Sequence, residues 1–185
     1  MDDPATGSFS DTGRMTTPRA NHTATLLLNG KVLITGGDLN GGRVARTAEI
    51  YDPATGLFSK ITPQMSTTRS KHTATLLPNG KVLVVGGPSA DIYDPTAVTF
   101  TVTPNNTGDR SSHVAVALAD GTVLITGGYV RKDAASDAWI YNPFNWEFYP
   151  PGFADEGGAR QPSDDPPPRR SSPCFWRVYG NQPAG

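Results

Sequence analysis

One cysteine, Cys174, is the whole complement of thiols in 185 residues. It excludes an intrachain disulfide and a paired-cysteine zinc site. Charge is equally thin: 16 Lys and Arg against 17 Asp and Glu leave a formal net charge of −1. No bulk electrostatic pull toward nucleic acid or an anionic membrane follows from that balance. No apolar run approaches the roughly 20 residues that span a bilayer. The N-terminus, Met1-Asp2-Asp3-Pro4-Ala5, lacks the apolar core of a secretory signal, so none is expected within this chain, and its compartment is not encoded in these residues. Histidine occurs only as His22, His72 and His113. Motifs for a zinc protease, a serine hydrolase or a phosphate loop are missing, so no catalytic residue, metal ligand or cofactor is assigned.

What is abundant is repetition. Arg19, His22, Asn29-Gly30, Gly36-Gly37 and Tyr51-Asp52-Pro53 recur as Arg69, His72, Asn79-Gly80, Gly86-Gly87 and Tyr93-Asp94-Pro95. They recur again as Arg110, His113, Asp120-Gly121, Gly127-Gly128 and Tyr141-Asn142-Pro143. From Arg to Gly-Gly the spacing is the same each time. A period of this length means stacked structural units. Residues present in every copy are expected to build the unit: the Arg to bind backbone carbonyls or neighbouring Asp side chains, the His to bond a neighbouring strand.

Each copy reads as four antiparallel strands. His22–Leu27 alternates polar and apolar residues, Asn29-Gly30 signals a tight hairpin, and Lys31–Thr35 is β-branched. Ala48–Tyr51 and Leu57–Ile61 flank the turn Asp52–Gly56, where Asp caps and Pro presets φ. Phe58, Phe100 and Phe148 each follow the tyrosine of their copy by seven residues. That spacing predicts an aromatic contact between neighbouring sheets, about 0.5–1.5 kcal/mol beyond its area.

Arg-x-x-His, a strand, Gly-Gly and Tyr-Asp-Pro-x-x-Gly followed by an aromatic resemble the kelch repeat, over roughly residues 1–150. The resemblance implies an all-β, partial kelch-type β-propeller of four-stranded blades. Kelch units usually carry Trp where Phe58 and Phe100 stand here. The expected blades are 19–62, 69–103 and 110–150. Residues 1–14 match the end of a preceding blade, since Asp3–Phe9 parallels Asp52–Phe58. Closed propellers have four to eight blades, and three with open sides forgo on the order of 10 kcal/mol of apolar burial. A fragment or truncated product without independent activity, self-association through the open blade edges, and an open arc are the readings this leaves. Residues 151–185 are proline-rich and aperiodic, which predicts a disordered tail. Within it Pro166–Arg169 resembles an SH3 ligand and Cys174–Tyr179 is an apolar island.

Function is expected to be non-catalytic binding of a protein or a glycan, with no nucleic acid, membrane or cofactor. Turns after strands one and three are short and repetitive, whereas the links after strands two and four vary, and variable loops on a rigid scaffold carry recognition. The candidate binding residues are therefore Asp38, Asn40, Arg43, Arg46, Tyr129, Arg131 and Lys132. An alternative drawn from resemblance is a fragment of a larger galactose oxidase-like enzyme whose copper site lies outside this chain. Repeats of the Asn-Gly-Lys-Val-Leu type are similar to those of bacterial, often exported, proteins.

Overall fold

A computed structural model of the chain describes residues 2–3, 7–9 and 11–150, and the statements below concern these. The expected tail, 151–185, and most side chains of the leading segment lie outside them. Among the described residues there is no helix. Strands β1 (Asp2–Asp3) and β2 (Ser8–Phe9) form a small antiparallel pair.

Three four-stranded sheets follow, each in simple up-and-down order. Unit one comprises β3 (Thr23–Leu26), β4 (Val32–Thr35), β5 (Ala48–Asp52) and β6 (Leu57–Lys60). Unit two comprises β7 (Thr73–Leu76), β8 (Val82–Val85), β9 (Ala90–Asp94) and β10 (Thr99–Val102). Unit three begins with the short β11 (Arg110–Ser111), then β12 (Val114–Ala117) and β13 (Val123–Thr126). It inserts β14 (Tyr129–Val130) and β15 (Asp133–Ala134) before β16 (Ala138–Asn142) and β17 (Glu147–Tyr149). Register is the same in every unit: Val32 faces Tyr51, Val82 faces Tyr93 and Val123 faces Tyr141.

The first hairpin differs from the two-residue turn that Asn-Gly suggests. Leu27 and Lys31 pair across it, and the amide of Gly30 donates to the carbonyl of Leu27 at 3.0 Å. The loop therefore holds three residues, 28–30, and only its glycine has positive φ, at 79°. This is a type I turn closed by a left-handed residue. Asn29 contributes through its side chain, which accepts from the amide of Lys31 at 3.1 Å.

Each sheet buries one face against its neighbour, with β7 lying against β3 on one side and β12 on the other. Between units one and two, Leu33 and Ala48 pack against Val82, Val84 and Tyr93. Between units two and three, Leu83, Val85 and Ile92 pack against Val123, Ile125, Tyr141 and Phe148. Every sheet thus has a front face, turned toward the next unit, and a back face, turned toward the previous one. The aromatic pairs are cross-strand neighbours within one sheet: Tyr51–Phe58, Tyr93–Phe100 and Tyr141–Phe148 have ring centroids 4.7, 4.8 and 4.9 Å apart. In units two and three the pair lies on the back face and also fills the inter-sheet core.

Candidate functional site

Strand polarity sorts the connections into two ends. The link end collects the segments that carry Arg and His, the Gly-Gly pairs and the links after strands two and four. The turn end collects the tight loops.

The link end is built on a buried cation. Arg19 donates to the carbonyl of Gly36 at 2.6 Å and to Glu49 at 2.7 Å. Arg69 donates to the carbonyls of Gly86 and Ser89 and to Asp91. Arg110 donates to the carbonyl of Gly127 and to both oxygens of Asp137, at 2.8 and 2.7 Å. The first two ion pairs are sealed, with 0% side-chain exposure on both partners, whereas Asp137 is 48% exposed. Glu49 and Asp91 stand two residues before Tyr51 and Tyr93. In unit three that place is taken by Trp139, and the acid has moved upstream to Asp137, which also accepts from the indole N–H at 2.7 Å. Although burial opposes it, hydrogen bonds from Thr16 and Arg19 hold the Glu49 carboxyl below its ordinary pKa. The Arg110 guanidinium does the same for Asp137.

The histidines lock units together. Nε2 of His72 lies 2.9 Å from the Thr35 hydroxyl and 3.1 Å from that of Thr23, both in unit one. Nε2 of His113 lies 2.8 Å from the Thr73 hydroxyl in unit two. Burial, with the Arg69 guanidinium beside it, pushes His72 down to about 3, and burial with Arg110 pushes His113 down to about 4. Both are neutral at pH 7. The residue preceding each histidine is left-handed without being glycine: Asn21, Lys71 and Ser112 have φ of 52°, 51° and 54°. There the backbone passes from unit to unit. The Lys71 amide donates to the Asn21 carbonyl at 3.1 Å, and the Ser112 amide to the Lys71 carbonyl at 2.8 Å.

The variable links project from this base. In unit one, residues 38–44 form a narrow hairpin, with the Leu39 amide donating to the Arg43 carbonyl at 2.7 Å and bridges from Asp38 to Ala20 and Val44. In unit three the loop read from the sequence is a small sheet of its own, with strand order β11-β14-β15. Unit two has only Pro88-Ser89 at this place.

Among the candidate binding residues, Asp38 is engaged internally. Its carboxylate accepts from the Asn21 amide side chain at 2.6 Å, and that bond, with help from Ser70 and Lys71, lowers its pKa. Arg46 donates to the side chain of Gln64 at 2.6 Å. Tyr129 is half exposed on β14. Asn40, Arg43, Arg131 and Lys132 are exposed and make no side-chain hydrogen bond or ion pair among the described residues. The structure places Asp38, Asn40 and Arg43 on one hairpin and Tyr129, Arg131 and Lys132 on another, with unit two between. Lys71, exposed beside the inter-unit backbone bonds, is a link-end cation that sequence reasoning missed. Its position after Arg69 and before His72 was the available signal.

The turn end carries a cleft of about 470 Å³ lined by residues including Leu28, Asn79, Lys81 and Pro95. Among the described residues no group of three His, Cys, Asp or Glu could hold a metal ion.

Four-stranded sheets stacked face to face through their inner strands define a partial β-propeller. The family model of the Kelch motif matches residues 18–65. That segment contains all of unit one, so unit one is a kelch repeat, and units two and three repeat its register, its buried Arg and its aromatic pair. No curated protein matches the chain. Kelch repeats are in general protein-interaction modules and generally non-enzymatic.

Proposed function

We propose that this chain is a non-catalytic binding module that engages a protein partner through the link end. One observation carries the reading. The links that vary in length, in units one and three, fold into hairpins pinned by backbone bonds to the rigid Arg–His segments. Their tips hold Asn40, Arg43, Arg131 and Lys132 out to solvent without internal partners. A side chain presented on a fixed backbone loses less entropy on binding than one on a free loop. Three of these four groups are cations, and Tyr129 adds a half-exposed aromatic, the residue type enriched in interface hot spots. The contact favoured by this chemistry is with a protein surface that carries carboxylates.

The test is photo-crosslinking in cells that express the chain. A crosslinker at position 131 captures a partner, one at position 79 on the turn end does not, and Arg43→Glu with Lys132→Glu reduces capture at least tenfold. Equal capture from both ends, or capture unaffected by the double substitution, overturns the reading.

A further inference from the structure

Asparagine is followed by glycine at Asn29-Gly30, Asn40-Gly41 and Asn79-Gly80. Glycine has no side chain to shield its amide nitrogen, so at this pair that nitrogen most readily attacks the asparagine side chain before it. The dipeptide is the same in all three places, but the fold holds it differently. In the first hairpin of unit one the Gly30 amide donates to the Leu27 carbonyl at 3.0 Å, and the Asn29 side-chain oxygen accepts from the Lys31 amide at 3.1 Å. In unit two the Gly80 amide donates to the Leu77 carbonyl at 2.9 Å, and Asn79 accepts from the Lys81 amide at 3.1 Å. Leu28 also lies over Gly80, where a Cβ would be 3.0 Å from its Cδ1. Nucleophile and electrophile are each committed to another partner in both turns.

Asn40 and Gly41 stand apart from these. Both are exposed at the tip of the 38–44 hairpin, and neither the Asn40 side chain nor the Gly41 amide makes a hydrogen bond among the described residues. Gly41 and Gly42 have φ of 77° and 73°, and a Cβ on either would meet nothing within 4 Å. The tip therefore has room for a ring to close. The bond from the Leu39 amide to the Arg43 carbonyl fixes the hairpin below this point, so the tip can turn without loss of the scaffold.

We infer that Asn40 is a site of non-enzymatic deamidation, and that the turns around Asn29 and Asn79 protect those two from it. The Gly41 backbone nitrogen loses its proton to hydroxide and attacks Cγ of Asn40. A nitrogen–carbon bond forms, the bond from Cγ to the side-chain nitrogen breaks, and that nitrogen takes a proton from water and leaves as ammonia. Water then opens the five-membered imide at either carbonyl. Breaking the new bond to Cγ leaves aspartate. Breaking the bond to the backbone carbonyl carbon leaves isoaspartate, whose main chain runs through Cβ and Cγ. No oxidant or reductant takes part. Either product adds one negative charge, three residues from Arg43, to a chain whose formal net charge is −1. The hairpin of unit three, Tyr129–Ala134, holds no asparagine, so the change falls on unit one. Its consequence for recognition, an anion set among the cations of the link end, rests on the binding role proposed above; the chemistry does not.

The test incubates the full chain at neutral pH, folded in one sample and unfolded in guanidinium chloride in the other. Peptide mapping by mass spectrometry reads the gain of about 1 Da that replacing NH2 by OH gives. Electron-based fragmentation separates aspartate from isoaspartate. In the folded chain Asn40 is expected to convert about tenfold faster, or more, than Asn29 or Asn79, because each of those must first give up two hydrogen bonds. In the unfolded chain the three are expected to convert at similar rates. The rate at Asn40 is expected to rise with pH, since the attacking nitrogen must be deprotonated. Asn40→Gln, whose longer side chain would need a six-membered ring, is expected to remove the acidic species that ion-exchange chromatography resolves from the folded sample. Asn40 that stays intact while the unfolded chain reacts, equal rates at the three positions in the folded chain, or the same excess at Asn40 after unfolding overturns the inference. So does an acidic species that persists undiminished in Asn40→Gln.

Discussion

Replacing Asp91 by Asn removes one charge and almost no volume from the most enclosed ion pair of the link end. Asp91 accepts from Arg69 and from the Ser66 hydroxyl, and both members of the pair have 0% side-chain exposure. Asn can still accept a hydrogen bond, but it leaves the guanidinium charge without its counter-ion. Breaking a buried pair from one side costs about 3–5 kcal/mol. The equivalent change in unit three, Asp137→Asn, acts on a carboxylate that is 48% exposed. Water already competes for that carboxylate and screens the pair, so removing its charge costs less, about 1 kcal/mol. Glu49→Gln falls with Asp91→Asn, because its pair with Arg19 is also sealed. Urea unfolding followed by circular dichroism measures all three. With a slope of about 1–3 kcal/mol/M, the midpoint should fall by on the order of 2 M for Asp91→Asn and about 0.5 M for Asp137→Asn, at unchanged slope. A stability of 5–15 kcal/mol is common, so the first variant loses a large fraction of the total. Equal losses at positions 91 and 137, or a loss below 1 kcal/mol at 91, would refute the claim that enclosure sets the cost.

Acid should loosen the junctions between units before it protonates most carboxylates. His72 and His113 titrate at about 3 and 4 in the folded chain and near 6.5 when unfolded. Below pH 6.5 the unfolded chain therefore binds more protons, and stability falls as pH falls. The slope is about 1.4 kcal/mol per pH unit for each histidine, down to pH 4 for His113 and pH 3 for His72. Urea midpoints from pH 7 to 4 check this, and His72→Gln should roughly halve the slope. Gly36→Ala and Gly41→Ala form a second contrast. A Cβ on Gly36 would sit 2.4 Å from the Arg69 carbonyl oxygen, whereas one on Gly41 meets nothing within 4 Å. Both carry the left-handed penalty of about 1–2 kcal/mol. Gly36→Ala should cost about 1–3 kcal/mol more, read by thermal melting.

The repeat, its four strands and its register were legible because the Arg-to-Gly-Gly spacing never changes and the alternation of His22–Leu27 has a single reading. The partners of the arginines were harder to see. Glu49, Asp91 and Asp137 lie at different distances from Gly-Gly, because the link between them varies in length. Only their position ahead of the tyrosine is regular, and Trp139 breaks that regularity. The left-handed Asn21, Lys71 and Ser112 were hidden for another reason: three unlike side chains mark one backbone shape that inter-unit hydrogen bonds impose. The small sheet β11-β14-β15 depends on backbone pairing, which the composition of Tyr129–Asp137 does not announce. The candidate binding residues came from loop variability alone, so the internal engagement of Asp38 and Arg46 could not be read from it.

Among the described residues unit two is the one sheet clasped on both sides, and each clasp reaches only the immediate neighbour. Energetically this makes residues 69–103 an interchangeable cassette: its contribution is its own folding plus two like-built joints, independent of anything farther along the array. A gene that duplicates this stretch inherits a ready-made joint at each end. Lengthening such a protein therefore requires copying and no redesign, and new recognition can arise by lengthening Pro88-Ser89 into a third projecting hairpin while the scaffold beneath stays as it is.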